Sequence, residues 1–245
     1  MEPSIALYMI PVAISESEIE SVLPDYNKEI ISGLSHFIVE NVRTARRFLK
    51  KVDRNIDISR LTFYELNAHT PDHEIFGYLD ALRRGVPMGL MSEAGCPGVA
   101  DPGADVVRIA QTEGLRVIPL VGPSSILLSL MASGLNGQRF SFQGYLPVDN
   151  AERNKTIREL EQMSIRHDMT QIFIETPYRN QKMFESLLKN LRDETLLCVA
   201  SAITSPEKES IVTHRVNLWK KEKVNLEKEP TIFLFYSPGL PGKRK

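Results

Sequence analysis

Cysteine is scarce in this chain of 245 residues, which contains only Cys96 and Cys198. The two lie far apart, without the spacing of a redox motif or a zinc site, so neither a disulfide framework nor a cysteine metal centre is expected. An excess of one charge is lacking as well, because 30 basic side chains oppose 31 acidic ones, a formal net charge of -1. Contact with a nucleic acid would therefore have to come from a local basic patch.

The N-terminus does not resemble a signal peptide, because no basic region precedes a long apolar run there. Together with the cysteine usage, this predicts a cytoplasmic protein. The run 117–138 has no charged residue but contains Pro119, Gly122 and Pro123 in its first third. This composition favours a buried strand, a turn and a buried helix over a membrane span.

Short β-branched runs alternate with amphipathic patterns in the first half, which is typical of βαβ units. Strands are predicted at 5–10, 37–40, 62–66, 87–92 and 116–121, with crossover helices at 43–52 and 72–84. An uncharged helix at 124–133 should be buried on nearly all sides. We therefore predict an α/β protein whose N-terminal domain, 1–121, has a mostly parallel sheet with flanking helices.

The C-terminal domain, 122–245, is predicted to contain a mixed sheet with helices, because adjacent strands occur beside helix-connected ones. Its strands are predicted at 140–145, 171–175, 195–202, 210–216 and 231–236, and its helices at 151–165 and 180–191. The charge-rich segment 220–229 indicates an exposed loop or a frayed helix. The tail 242–245 is predicted to be a disordered end, although its three cations could contact phosphate.

The segment Ser-Glu-Ala-Gly-Cys-Pro-Gly-Val-Ala-Asp-Pro-Gly at 92–103 directly follows a predicted strand and precedes a helix. Open α/β sheets bind their ligands at this edge. Its glycines and prolines predict a rigid loop whose backbone can come close to a ligand. The spacing fits neither a dinucleotide fingerprint nor a phosphate-binding P-loop. Tight turns need such residues whatever their function, so the pattern alone leaves a purely structural role open.

Several motifs in matching order extend this segment. They are Ala-Asp-Pro-Gly at 100–103, Gly-Leu-Arg-Val-Ile-Pro-Leu at 114–120, Gly-Pro-Ser at 122–124, Ala-Ser-Gly-Leu at 132–135 and Arg-Phe-Ser-Phe-Gln-Gly-Tyr-Leu-Pro at 139–147. They closely resemble the ribosomal RNA small-subunit (cytidine-2′-O)-methyltransferase family of the tetrapyrrole methylase superfamily, with weaker similarity over 5–236. The resemblance implies an S-adenosylmethionine-dependent methyltransferase with its donor in a cleft between two domains. It also implies small-subunit ribosomal RNA as the partner and a homodimer as the usual assembly.

The resemblance further implies which residues bind the donor, mainly through backbone groups and hydroxyls. They are Ile10, Gly95, Cys96, Val99, Ser124, Ser125, Ala202 and Thr231, the last two being neighbours of the adenine. For Cys96, a small residue tolerated in a tight turn is a better interpretation than a catalytic thiol.

The segment Glu-Asn-Val-Arg at 40–43 resembles the family's Glu-Asp-Thr-Arg element. Glu40 and Arg43 are therefore candidates for positioning the substrate, and Glu40 is also a candidate base. The alternative is a surface ion pair at the start of a helix. The basic residues that follow could track a phosphate backbone or form an ordinary solvated face; they are Arg46, Arg47, Lys50 and Lys51.

The chain departs from the family motifs at two places. At 12–16, Val-Ala-Ile-Ser-Glu replaces the family's Thr-Pro-Ile-Gly-Asn and adds the carboxylate of Glu16. At 202–205, Ala-Ile-Thr-Ser replaces the family's Glu-Leu-Thr-Lys. Two alternatives therefore stay open. One is a methyltransferase of the same fold that acts on a small, tetrapyrrole-like molecule. The other is a donor-binding homologue without catalysis. No metal is expected, because the histidines at 69 and 73 lack the HExxH pattern.

Overall fold

A computed structural model describes residues 2–67, 69–226 and 229–238 of the chain. The chain forms two compact units, Met1–Ser124 and Ser125–Lys245. Each unit has its own five-stranded sheet, and helices accompany both sheets, so the predicted α/β class is confirmed. Within the described ranges, no helix combines the length and apolar character needed to cross a membrane.

The first sheet is parallel throughout, as predicted, with the strand order β3-β2-β4-β1-β5. Four of its strands are shorter than the sequence suggested, because the flanking residues already turn into loops, whereas β2 has the predicted length and is shifted by one residue. They are β1 (Leu7–Met9), β2 (His36–Val39), β3 (Thr62–Glu65), β4 (Met88–Met91) and β5 (Val117–Pro119). The three inner strands, β2, β4 and β1, are almost wholly buried, as expected for a parallel sheet covered on both faces.

The helices of the first unit are α1 (Ile19–Val22), α2 (Asp25–Ser32), α3 (Val42–Val52), α4 (Asp72–Ile75), α5 (Asp80–Arg83) and α6 (Ala104–Thr112). Short 3-10 segments lie at Ile58–Arg60 and Phe76–Leu79. The single helix predicted at 72–84 is therefore wrong, because its middle tightens into a 3-10 turn around Gly77, a residue of low helix propensity. The short helices α1 and α2 were not predicted.

The second sheet is mixed, as predicted, with the order β6-β7-β10-β8-β9. Strands β6 and β7 are parallel, whereas β10 is antiparallel to both β7 and β8. The strands are β6 (Phe140–Tyr145), β7 (Thr170–Glu175), β8 (Leu196–Ser201), β9 (Ser210–Arg215) and β10 (Thr231–Tyr236). The helices are α7 (Ser125–Ser133), α8 (Asn150–His167), α9 (Asn180–Asn190) and α10 (Val216–Trp219), and a 3-10 turn lies at Pro177–Arg179.

The uncharged run 117–138 contains β5, a turn and α7, as predicted. The expectation that α7 is buried on nearly all sides is wrong. Ser129, Leu130 and Ser133 are buried, whereas Leu127 is 52% exposed and Met131 is 79% exposed. The reason is that α7 packs against β9 and β10 on one side only, which the apolar composition of the helix does not reveal.

The charge-rich segment 220–229 begins in a turn and continues as an irregular loop over residues 223–226, in line with the predicted loop. Residues 227 and 228 lie outside the described ranges. The tail at 242–245 also lies outside them.

Candidate active site at the carboxyl edge of the first sheet

The loops that follow β1 and β4 are joined at the carboxyl edge of the first sheet. Val12 and Gly95 exchange two backbone hydrogen bonds of 2.8 and 2.9 Å. The Cys96 thiol donates to the carbonyl oxygen of Pro123, in the loop after β5, over 3.4 Å. Because β4, β1 and β5 are neighbours in the sheet, these contacts tie the three successive loops together.

The loop at 92–103 depends on residues that accept left-handed backbone conformations. Gly95 has φ 71° and Gly103 has φ 124°, and a Cβ on Gly103 would come within 2.8 Å of Leu90 Cδ2. Ala100 adopts φ 61° although it has a Cβ, a sparsely populated conformation for such a residue. Backbone strain of this kind tends to concentrate at functional sites. The loop is therefore held in a specific shape by close packing.

Cys96 itself is half-buried, and burial raises the pKa of its thiol. The group therefore stays protonated at neutral pH and serves as a hydrogen-bond donor to Pro123. This agrees with the interpretation of Cys96 as a small turn residue rather than a nucleophile, because the thiolate is the reactive form.

Three carboxylates come together near this loop: Glu40 follows β2, and Glu93 and Asp101 follow β4. Burial raises the pKa of Glu40, the charges of Asp101 and Glu93 raise it further, and a backbone hydrogen bond from Glu93 opposes the shift. Oxygen Oε2 of Glu40 is buried and has no hydrogen-bond partner within the described residues. Glu40 is therefore a carboxyl group whose pKa is raised and whose buried Oε2 has an unused hydrogen-bonding capacity.

Asp101 shows the same tendency. Burial raises the pKa of Asp101, a hydrogen bond from Ser92 lowers it, and the charge of Glu93 raises it again. Neither Glu93 nor Asp101 was singled out from the sequence. The missing information was the strand order: β2 and β4 pair side by side, so the residues that follow them must meet. In the described part of the chain, no three His, Cys, Asp or Glu side chains are placed to hold a metal ion.

Arg43 is placed differently from Glu40. It lies in the first turn of α3, where the side chain of Asn41 caps the helix by accepting from the backbone N–H of Arg43 at 2.9 Å and that of Thr44 at 3.3 Å. The described structure contains no ion pair between Arg43 and Glu40, so the alternative of a surface ion pair at the helix start is wrong. Thr44 instead donates from its hydroxyl to Glu93, which ties α3 to the loop after β4.

The other predicted donor residues of the first unit differ in accessibility. The side chain of Ile10 is buried in the core and packs against Gly89, where a Cβ would come within 2.5 Å of Ile10 Cδ1. Any donor contact of Ile10 would therefore use its backbone. Val99 is 49% exposed on the loop, and Ser124 is half-buried directly before α7, which begins at Ser125.

In the second unit, the structure brings Ala202 and Thr231 to the same edge of the sheet. The backbone N–H of Ala202 donates to Pro230 over 2.9 Å, and the hydroxyls of Ser201 and Thr231 lie 2.9 Å apart. Ala202 has φ 48° and Thr204 has φ 69°, an unusual conformation for a β-branched residue. The segment where the chain departs from the family motif is therefore a strained turn.

Comparisons with known proteins agree on one class. No protein-family model matches the chain. The chain is 29% identical over 201 residues to "Ribosomal RNA small subunit methyltransferase I" of Vibrio cholerae, a match that covers 81% of this chain and 65% of that protein. The chain thus spans slightly less than two thirds of that relative's length.

Solved structures share the fold over nearly the whole chain. The methyltransferase CobJ matches with a TM-score of 0.62 and 15% identity, covering 94% of this chain and 93% of its own. The uroporphyrin-III C-methyl transferase from Thermus thermophilus complexed with S-adenyl homocysteine matches with a TM-score of 0.56 and 16% identity, covering 94% and 97%. At these identities the likeness shows a common fold.

Proposed function

We propose that the chain is a member of the tetrapyrrole methylase superfamily, related to the ribosomal RNA small subunit methyltransferase I proteins to which it is similar. From this premise we propose that it is an S-adenosylmethionine-dependent methyltransferase that acts on a ribose 2′-hydroxyl of small-subunit ribosomal RNA. The observation that carries the proposal is the joined loops at 12–15, 92–103 and 121–124, beside a carboxylate of raised pKa.

The residues of these loops fit the donor. Gly95 lets the loops approach closely, because a Cβ there would come within 3.3 Å of Ile14 Cγ2 and 3.7 Å of the Pro123 oxygen. Backbone groups around Gly95 and Cys96 and the hydroxyl of Ser124 would hold the polar amino acid and ribose parts of the donor. When bound, the donor supplies a methyl group carried on a positively charged sulfur.

The chain's own residues must align an acceptor hydroxyl and take up its proton. Glu40 is our candidate for the second task, because its Oε2 has no other partner within the described residues and its raised pKa makes it a better base than an exposed carboxylate. Arg43, exposed on the same edge of the unit, would position the substrate through an adjacent phosphate. Both roles are proposals.

For the second unit, we propose that Ala202 and Thr231 contact the adenine of the donor. We also propose a cytoplasmic location and a homodimer. The dimer is suggested by exposed apolar side chains of the second unit that a partner subunit would cover; they include Leu127, Met131, Phe140, Tyr145 and Val148. Light scattering coupled to size-exclusion chromatography would measure the mass.

The function is tested by incubating the protein with methyl-labelled S-adenosylmethionine and small ribosomal subunits that lack the modification. We expect label on a ribose of the small-subunit RNA, located by nuclease digestion and mass spectrometry. Label on no RNA, although calorimetry detects donor binding, would contradict the RNA substrate. Absence of donor binding would contradict the methyltransferase assignment itself.

A further inference from the structure

The solvent face of α3 carries only positive charge. Its opposite face is buried through Ala45, Phe48, Leu49 and Val52. The helix contains no acidic residue, and five cations lie on the exposed side; they are Arg43, Arg46, Arg47, Lys50 and Lys51. We call this set the α3 basic face. The apolar positions recur at three- and four-residue spacing, so the basic positions necessarily share the other side.

These cations are not neutralised within the described structure. None of the five has a carboxylate within ion-pair distance there. On other helices of this unit, by contrast, Arg83 pairs with two carboxylates and Arg108 with one. Lys50 donates to the carbonyl oxygen of Arg54 over 2.9 Å, and the Arg46 guanidinium lies 5.3 Å from the centre of the Phe63 ring. Neither contact involves a carboxylate, although the charge of Lys50 contributes to the lowered pKa of Asp57.

The surrounding unit is acidic, so the basic face does not reflect its general composition. The first unit, Met1–Ser124, has 12 basic and 17 acidic side chains. Like charges three and four residues apart repel one another, and Arg43 also faces the positive end of the helix dipole. An ordinary solvated helix relieves such repulsion with interspersed acids. Helix α3 has no such acids, so its cations still repel one another. This is expected if a polyanion neutralises the α3 basic face when it binds.

The location of the face also connects it to the candidate active site. Helix α3 starts two residues after Glu40, and Thr44 in its first turn bonds to Glu93 in the loop after β4. From Arg43 to Lys51 the helix rises about 12 Å. That length covers roughly three successive phosphates, at about 3.4 Å per phosphate along the axis of one strand.

We propose, resting on the function proposed above, that the α3 basic face binds the phosphate backbone of the RNA that flanks the acceptor ribose. The carboxylates at the sheet edge would repel phosphate, so the cations of α3 supply the attraction that the acidic unit otherwise lacks. The partner recognised by this chemistry is a regularly spaced polyphosphate rather than a single anion.

The test is the double variant Arg47→Gln with Lys51→Gln, which leaves Arg43 intact. Affinity for a small-subunit RNA transcript should be measured over a range of salt concentrations. Removing two phosphate contacts should weaken binding about 20- to 60-fold at 0.1 M salt and reduce the slope of log affinity against log salt by about 1.4 to 1.8. The matched control is Lys155→Gln with Lys189→Gln, the same charge change on exposed positions of α8 and α9, which should leave both quantities unchanged.

Calorimetry with S-adenosylmethionine separates this inference from the proposed function, because donor affinity should be the same in all three proteins. If the double variant binds RNA as tightly as wild type and with the same salt slope, the α3 basic face does not bind RNA. The proposed methyltransferase function would not be affected by that result. Equal losses in the control variant would also overturn the inference, since the effect would then be one of net charge. Anionic lipid vesicles are the competing partner, and vesicle binding that depends on Arg47 and Lys51 without RNA binding would overturn it too.

Discussion

The substitution Glu40→Gln tests the carboxylate on which the proposed chemistry depends. The amide keeps the shape of the side chain but cannot accept a proton. If Glu40 takes up the proton of the acceptor hydroxyl, kcat should fall by about 10²- to 10⁴-fold, the usual contribution of a general base. Donor affinity should change little, because the loops that hold the donor are unaltered.

The pH dependence gives a sharper readout than the rate alone. A base must be ionised, so the wild-type rate should rise with pH through a pKa above the ordinary 4.5 of glutamate, and this rise should be missing in the variant. Because the pKa is raised in the folded state, the ionised form is the less favoured one there. The contribution of Glu40 to the free energy of unfolding is therefore most favourable below pH 4.5, and it declines as pH rises through the pKa of Glu40 in the folded state. Glu40→Gln should therefore not lower the melting temperature at neutral pH.

Glu93→Gln is the companion variant, because the charge of Glu93 contributes to the raised pKa of Glu40. It should move the acidic limb of the rate profile to lower pH without abolishing activity. Single-turnover rates with labelled donor, measured from pH 5 to 9, would follow both effects. If Glu40→Gln keeps a rate within about threefold of wild type and the same acidic limb, Glu40 is not the base, and our reading of its unpaired oxygen is wrong.

Three further predictions concern binding and stability. Gly95→Ala should weaken donor binding, as measured by calorimetry. The control is Gly114→Ala, which has a similar φ of 69° but nothing within 4 Å of the added Cβ, and it should cost only about 1 kcal/mol of stability. Equal donor affinities in the two variants would show that Gly95 is not part of the donor site. Glu161→Ala should lower the free energy of unfolding by about 2–4 kcal/mol in urea, because the buried carboxylate accepts from the backbone N–H of Arg192 at 2.9 Å and from the Thr195 hydroxyl; a loss below 1 kcal/mol would contradict this. The hydrogen bond to Asp168 raises the pKa of Tyr236 to about 12, so an alkaline absorbance titration should show a tyrosine that ionises near pH 12 and is missing in Tyr236→Phe. The resulting stabilisation is complete below pH 10 and is lost as pH rises through 12.

Local patterns in the sequence were sufficient to predict the α/β class, most strands and the loop at 92–103. Alternating and helical periodicities arise from the geometry of a single element, so they can be recognised without knowing what packs against it. The same holds for the amphipathic character of α3, whose buried and basic positions follow directly from the helical repeat. The motifs around this loop also pointed to the methyltransferase family with which the comparisons agree.

Tertiary structure decided which of these segments meet. The order β3-β2-β4-β1-β5 places Glu40 beside Glu93 and Asp101 and joins Val12 to Gly95, and strand order depends on pairing between residues far apart in the chain. It likewise decided that α7 packs on one side only and that Arg43 forms no ion pair with Glu40 within the described residues. Side-chain periodicity describes one element at a time, whereas the raised pKa of Glu40 depends on burial and on two loops that the sheet brings together, one after β2 and one after β4.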